Sequence, residues 1–234
     1  MENKDENQAF EISWVEGIPV IESRGLKLVV DTGSPGSLAR RGRVEIAGTS
    51  QSVFDKTDML DADKLSDFLG ESVDGLIGAD ILEKFSLNFQ FADSVLTFSH
   101  NELSGMADGL DTDFDQGVPI IDCEVDGVAR RCVIDSGAKA NYLSTALLAD
   151  RNSTGTQDDF HVGIGRYEAR TFDVPANMAG EDATVREFLE APFVVDHILA
   201  ASGAVGIIGM TWMRTFQAMK LSYRKRTVRF EFGK

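Results

Sequence analysis

The chain has 234 residues, with 38 acidic against 23 basic side chains and a formal net charge of −15. A polyanion would be repelled by that charge, which argues against nucleic acid or an anionic membrane as a partner. With 43% hydrophobic residues and no apolar run of the roughly 18 residues that suggest a membrane span, a modest soluble globular protein is expected. Met1 to Gln8 is polar and carries no apolar h-region, so no secretory signal is visible and the cytoplasm is the expected location. Cys123 and Cys132 are too few for a disulfide framework and are read as thiols.

Phe10, Ile12 and Trp14 alternate with polar residues, the period of a half-buried strand. Gly17-Ile18-Pro19-Val20-Ile21-Glu22 then enters a hairpin, with Val20 to Glu22 and Leu26 to Val30 flanking Ser23-Arg24-Gly25. Its second strand runs straight into Asp31-Thr32-Gly33-Ser34. Leu65, Phe68 and Leu69, at helical spacing after Asp61 and Asp63 and closed by Gly70, predict one short helix. Gly75-Leu76-Ile77-Gly78 follows, then a short helix over Ile81 to Phe85, an alternating Phe85, Leu87, Phe89 and Phe91, and a strand Val95 to Phe98.

The same string then recurs in the same order. Gly117-Val118-Pro119-Ile120-Ile121-Asp122 answers Gly17 to Glu22, and Cys132-Val133-Ile134-Asp135-Ser136-Gly137-Ala138 answers the first Asp block. The second hairpin is longer: Cys123 to Val125 and Val128 to Ile134 flank Asp126-Gly127, a strong turn dipeptide, and two added residues per strand preserve the register. Ser144 to Asp150 is a helix candidate. Phe160 to Arg170, with Gly163 and Gly165, predicts a glycine-containing hairpin that leads into Phe172 to Val174 and places Tyr167 near its tip. Gly206-Ile207-Ile208-Gly209, a short helix over Thr211 to Phe216 and the strand Thr227 to Phe230 complete the repeat. Trp14 and Trp212 read as core.

Together, the two Asp-hydroxyl-Gly turns, the two apolar-apolar-Gly blocks and their duplication resemble the aspartic protease superfamily. The likeness is to a tandem, single-chain pair of retropepsin-like domains, and it covers nearly the whole chain. It implies a mainly β fold of two pseudo-symmetric lobes with few short helices, divided as residues 1–105 and 106–234, with a reduced flap region in the first and a candidate flap over 160–174 in the second. It further implies an aspartic-type endopeptidase that acts on polypeptide in an interlobe cleft, as a monomer working like a pseudo-dimer, without a cofactor.

In that reading Asp31 and Asp135 are the catalytic pair. Two carboxylates a few Å apart cannot both ionise cheaply, so they share a proton; one serves as base toward a water while the other donates to the scissile carbonyl. Gly33 and Gly137 permit the tight turn. Thr32 and Ser136 match the family positions whose hydroxyls brace the two loops. Ser34 is expected to hydrogen-bond a carboxylate oxygen from outside, which Ala138 cannot do. Gly163, Gly165 and Tyr167 are the candidate substrate-binding residues of the flap.

Other chemistries lack support. His100, His161 and His197 show no metal-ligand spacing, so no metal site is expected. Neither Ser34 nor Ser136 lies in a Gly-x-Ser-x-Gly elbow, and Gly163-Ile164-Gly165 lacks the third glycine of a dinucleotide site. Asn152-Ser153-Thr154 is a glycosylation sequon only in a secreted protein. The alternative to an enzyme is the same fold kept as an inactive peptide-binding or scaffold module.

Overall fold

The two turns Arg24-Gly25 and Asp126-Gly127 have all four residues at positive φ, between 51° and 72°, the type I′ geometry that matches the twist of a hairpin. In the computed structural model, which describes residues 7–57 and 59–233, they organise two similar sheets. Most of the polar stretch Met1 to Gln8 lies outside the described residues. The first half contains β1 (Asn7–Glu11), β2 (Ser13–Val15), β3 (Ile18–Ser23) and β4 (Leu26–Val30), which delivers the chain to Asp31. It continues with β5 (Leu38–Ala39), β6 (Arg43–Ile46), β7 (Thr49–Ser52), α1 (Ala62–Leu69), β8 (Gly75–Ile77), α2 (Ala79–Leu82), β9 (Ser86–Gln90) and β10 (Val95–Ser99).

The second half opens with β11 (Leu110–Asp111), β12 (Asp113–Asp115), β13 (Val118–Val125) and β14 (Val128–Ile134), which ends at Asp135. Beyond it come β15 (Tyr142–Leu143), α3 (Thr145–Leu148), β16 (Gly155–His161), β17 (Gly165–Asn177), β18 (Thr184–Glu190) and α4 (Phe193–Ser202). The chain closes with β19 (Gly206–Ile208), α5 (Met210–Met213), β20 (Ala218–Ser222) and β21 (Thr227–Glu231). The fold is mainly β with short helices, as the sequence implies.

One sheet has the order β2-β3-β4-β8-β5, and the first five strands of a second follow the same course, β12-β13-β14-β19-β15, before continuing through β18-β17-β16. In each, the strand that reaches the aspartate runs parallel to the apolar-apolar-Gly strand, with Val29 beside Leu76 and Val133 beside Ile207. The glycines that bracket those blocks are required by close packing. A Cβ on Gly75 would strike the Leu38 carbonyl and one on Gly78 that of Gly36; on Gly206 and Gly209 it would strike the carbonyls of Tyr142 and Ala140. The second hairpin exceeds the first by two residue pairs, closing at Val125↔Val128 where the first closes at Ser23↔Leu26.

A third sheet, β1-β10-β9-β20-β21-β11, draws strands from both halves. Its centre is the antiparallel pairing of β9 with β20, Leu87 opposite Leu221. Beneath it, one apolar cluster runs through both halves, with Leu28, Ile77, Phe89 and Phe98 joined to Ile134, Ile208, Trp212 and Met219. Cys123 and Cys132 are free thiols buried in this cluster, their Sγ atoms 3.0 Å apart. Among the described residues no helix is long and apolar enough to cross a membrane.

Several boundaries differ from expectation. Helix α1 does start and stop at its signals: the Asp61 carboxylate accepts from the Lys64 amide at 2.8 Å, and Gly70 closes it at φ 69°. The two short helices after the Gly-x-x-Gly blocks are single turns that begin directly after Gly78 and Gly209 and end at Leu82 and Met213. Helix α4 was not anticipated, because it has no amphipathic stripe: Val195 and Leu199 are buried while Phe193, Val194 and Ile198 are exposed. Strand β18 was likewise missed. The hairpin expected from residue 160 begins at Gly155, and its second strand extends to Asn177. Trp212 is fully buried, whereas Trp14 is only partly so, its ring lying under the Arg214 guanidinium at 4.3 Å.

Candidate active site

Asp31 and Asp135 sit at matching exits from β4 and β14, and each backbone amide is held by the neighbouring parallel strand: Asp31 donates to Ile77 O at 3.0 Å, Asp135 to Ile208 O at 3.1 Å. The two loops cross each other closely. A Cβ built on Gly33 would fall inside the Asp135 carboxylate, and one on Gly137 inside that of Asp31. Glycine is therefore needed at both places for space, so that each carboxylate can lie over the opposite loop. There the charge on one carboxylate acts on the other.

The crossing is held by reciprocal hydrogen bonds between two fully buried hydroxyl residues. Thr32 Oγ1 donates to Ile134 O at 2.7 Å and accepts from the Ser136 amide at 2.9 Å. Ser136 Oγ donates to Val30 O at 2.7 Å and accepts from the Thr32 amide at 3.0 Å. Each hydroxyl thereby satisfies a carbonyl and an amide that burial would otherwise leave unpaired, and each loop is fixed to the strand that carries the other.

The electrostatics of the pair follow from this crowding. Burial raises the pKa of Asp31 well above its ordinary value, with the nearby Asp135 charge adding to the effect. Burial also raises Asp135, but its carboxylate accepts from the Gly137 amide at 2.8 Å and the Ala138 amide at 3.1 Å, which favour the charged form. Asp31 accepts from the Gly33 amide at 2.9 Å. Two like charges in one partly desolvated space titrate as a unit, and the unit keeps a proton to higher pH than a free carboxyl would.

Ser34 departs from the role expected of it. Its hydroxyl donates to Gly36 O at 2.9 Å, a bond within its own turn, so its proton is committed there and does not reach a carboxylate. The hairpin closes at His161↔Gly165, so Tyr167, opposite Asp159, is two residues in from the tip. Its hydroxyl donates to Tyr142 Oη at 3.2 Å, and Tyr142 in turn donates to the buried Asp159 carboxylate. Burial pushes Tyr167 up to about 12 and Tyr142 further in the same direction. Gly163 and Gly165 are at the tip, where Gly165 adopts φ 91° and a Cβ on Gly163 would be 3.5 Å from Met59 Cε.

Two supporting residues escaped the sequence reading. Ser37 Oγ accepts from the Gly78 amide at 2.8 Å, and Asn141 Oδ1 accepts from the Gly209 amide at 3.1 Å. Each stands six residues beyond its aspartate and is buried. A polar residue repeated at that offset was the available signal.

No family model matches the chain, and no curated protein does. Among solved structures, the chain is similar to the crystal structure of a retropepsin-like aspartic protease from Rickettsia conorii, at 13% identity and a TM-score of 0.38, over 53% of this chain and 89% of that one.

Proposed function

We propose that the protein is an aspartic-type endopeptidase, with residues 1–105 and 106–234 as two retropepsin-like lobes and a polypeptide substrate held between them. One observation carries this reading: two carboxylates, each lying over the other loop's glycine, in a crossing braced from both sides by buried hydroxyls. A turn that served only to end a strand would have no need of that arrangement.

With one shared proton, the amide donors on Asp135 favour it as the ionised member and Asp31 as the acid. The ionised carboxylate takes a proton from water as the water oxygen bonds to the scissile carbonyl carbon, while the acid gives its proton to the carbonyl oxygen. The tetrahedral diol collapses as a proton passes to the amide nitrogen and the C–N bond breaks, releasing a carboxylic acid and an amine. No covalent acyl-enzyme forms, and the chemistry calls on no cofactor.

Incubation with mixed synthetic peptides from acidic to neutral pH, followed by mass spectrometry, tests this. Cleavage is expected to fall by about a hundredfold or more in Asp31→Asn and in Asp135→Asn. Cleavage unchanged by either substitution overturns the proposal, and peptide binding without hydrolysis at any pH in folded protein transfers support to the scaffold reading.

A further inference from the structure

The hairpin of β16 and β17 makes its own tip: Ile164 N donates to His161 O at 2.9 Å and Gly163 N to His161 Nδ1 at 3.1 Å. Adjacent cross-strand pairs point to opposite faces. The pair Asp159↔Tyr167 faces Tyr142 of its own half, in an apolar cluster that includes Ala138 of the Asp135 loop. The next pair, Phe160↔Arg166, faces α1 of the other half. There the Phe160 ring stacks on Phe68 at 5.3 Å with an interplanar angle of 18°, and Arg166 donates to the carbonyls of Phe68 at 2.9 Å and Asp67 at 3.2 Å.

Those carbonyls belong to the last turn of α1, where backbone acceptors have no partner within the helix. The turn also contains no basic side chain of its own. A guanidinium at that end is favoured by the helix dipole and by charge-assisted hydrogen bonds. Val162 and Phe160 pack at the edge of the first half's own cluster, which contains Leu65 and Leu69 of α1. The hairpin thus rises beside the Asp135 loop and comes to rest on α1.

We propose that Phe160 and Arg166 are positioning residues: they seat the second half's hairpin on the C-terminal turn of α1, and this seat sets how readily a polypeptide is captured beside the aspartate pair. Its first part stands on geometry alone; the link to capture rests on the endopeptidase reading.

The experiment pairs amide hydrogen exchange with steady-state cleavage of the same mixed peptides for Arg166→Ala, Arg166→Lys and Phe160→Ala. Exchange at 160–166 is expected to rise about tenfold in Arg166→Ala, the loss of a charge-assisted hydrogen bond, and less in Arg166→Lys, with strands β4 and β14 unchanged. KM is expected to rise several-fold with kcat changed less than about twofold, since uniform binding is lost rather than chemistry. Unchanged exchange at 160–166, or an equal rise in β4 and β14, overturns the seat whether or not the protein cleaves peptides. Faster exchange with unaltered KM, in protein whose cleavage depends on Asp31, overturns the link to capture and leaves the endopeptidase reading intact. If no peptide is cleaved at all, that reading and the link fail together, and the seat is decided by exchange.

Discussion

From Asp31 to Gly75 the first half runs 44 residues, and from Asp135 to Gly206 the second runs 71. The shorter segment holds the small β6–β7 hairpin, whose Val44 and Ile46 are buried in the core, and α1. The longer one holds the projecting β16–β17 hairpin, β18 and α4. Beneath these unequal superstructures, the strands, turns and glycines around the aspartates match almost residue for residue. The matched parts are those in which one methyl or one missing hydroxyl would spoil the meeting of the carboxylates. The unmatched parts are held by contacts particular to each half, Val44 and Ile46 in the core on one side and Phe160 and Arg166 on α1 on the other.

The matched region breaks most severely at its glycines. Gly33→Ala or Gly137→Ala drives a methyl into the opposite carboxylate, and cleavage is expected to fall at least about a hundredfold in either. Overpacking of this kind also costs about 1–3 kcal/mol of stability, readable by urea titration. A smaller loss of cleavage, with a comparable loss of stability, is expected from Thr32→Val and Ser136→Ala. Each leaves one buried amide and one buried carbonyl unpaired, for about 2–3 kcal/mol in stability; the two values should agree within about 1 kcal/mol if the crossing is balanced. Markedly unequal losses would show that one half carries the other.

The smallest effect concerns how far the aspartates differ. Their native pKa values are raised by burial, so folding takes up protons. Relative to an ordinary aspartate, the stability this contributes is complete below about pH 4 and is lost as pH rises through the native values. Asn does not titrate. Asp31→Asn should therefore melt higher than the parent near pH 7, the gap closing toward pH 4, and Asp135→Asn should show the same trend with a smaller gap. Thermal melts across that range check it, and equal gaps would mean that the amide donors on Asp135 do not distinguish the pair.

How much of this was legible in the sequence depended on whether the constraint was local. Asp31, Thr32, Gly33 and their counterparts were readable because the crossing needs a glycine for space and a hydroxyl for its hydrogen bonds beside each aspartate, and the repeat states the requirement twice. Helix α1 was readable from Asp61, Leu65, Leu69 and Gly70. Helix α4 was not, since Phe193 and Ile198 on its outer face erase the polar side that marks a helix, although Pro192 and Gly203 bracket it. Ser34 was misjudged because its nearest acceptor, Gly36 O, is a feature of the turn that forms around it. The resting place of Arg166 on α1 joins residues 98 and 99 positions apart, and nothing in either segment announces the other.

The sheet that interleaves β9 and β10 with β20 and β21 governs the order in which the chain can mature. As the first half leaves the ribosome, β9 has β10 on one side and an open row of amides and carbonyls on the other, awaiting a strand more than a hundred residues downstream. Such distant pairings form late, and an unfilled strand edge invites pairing with other chains meanwhile. Produced separately, the first half should aggregate, and added second half should rescue it by filling the place beside β9.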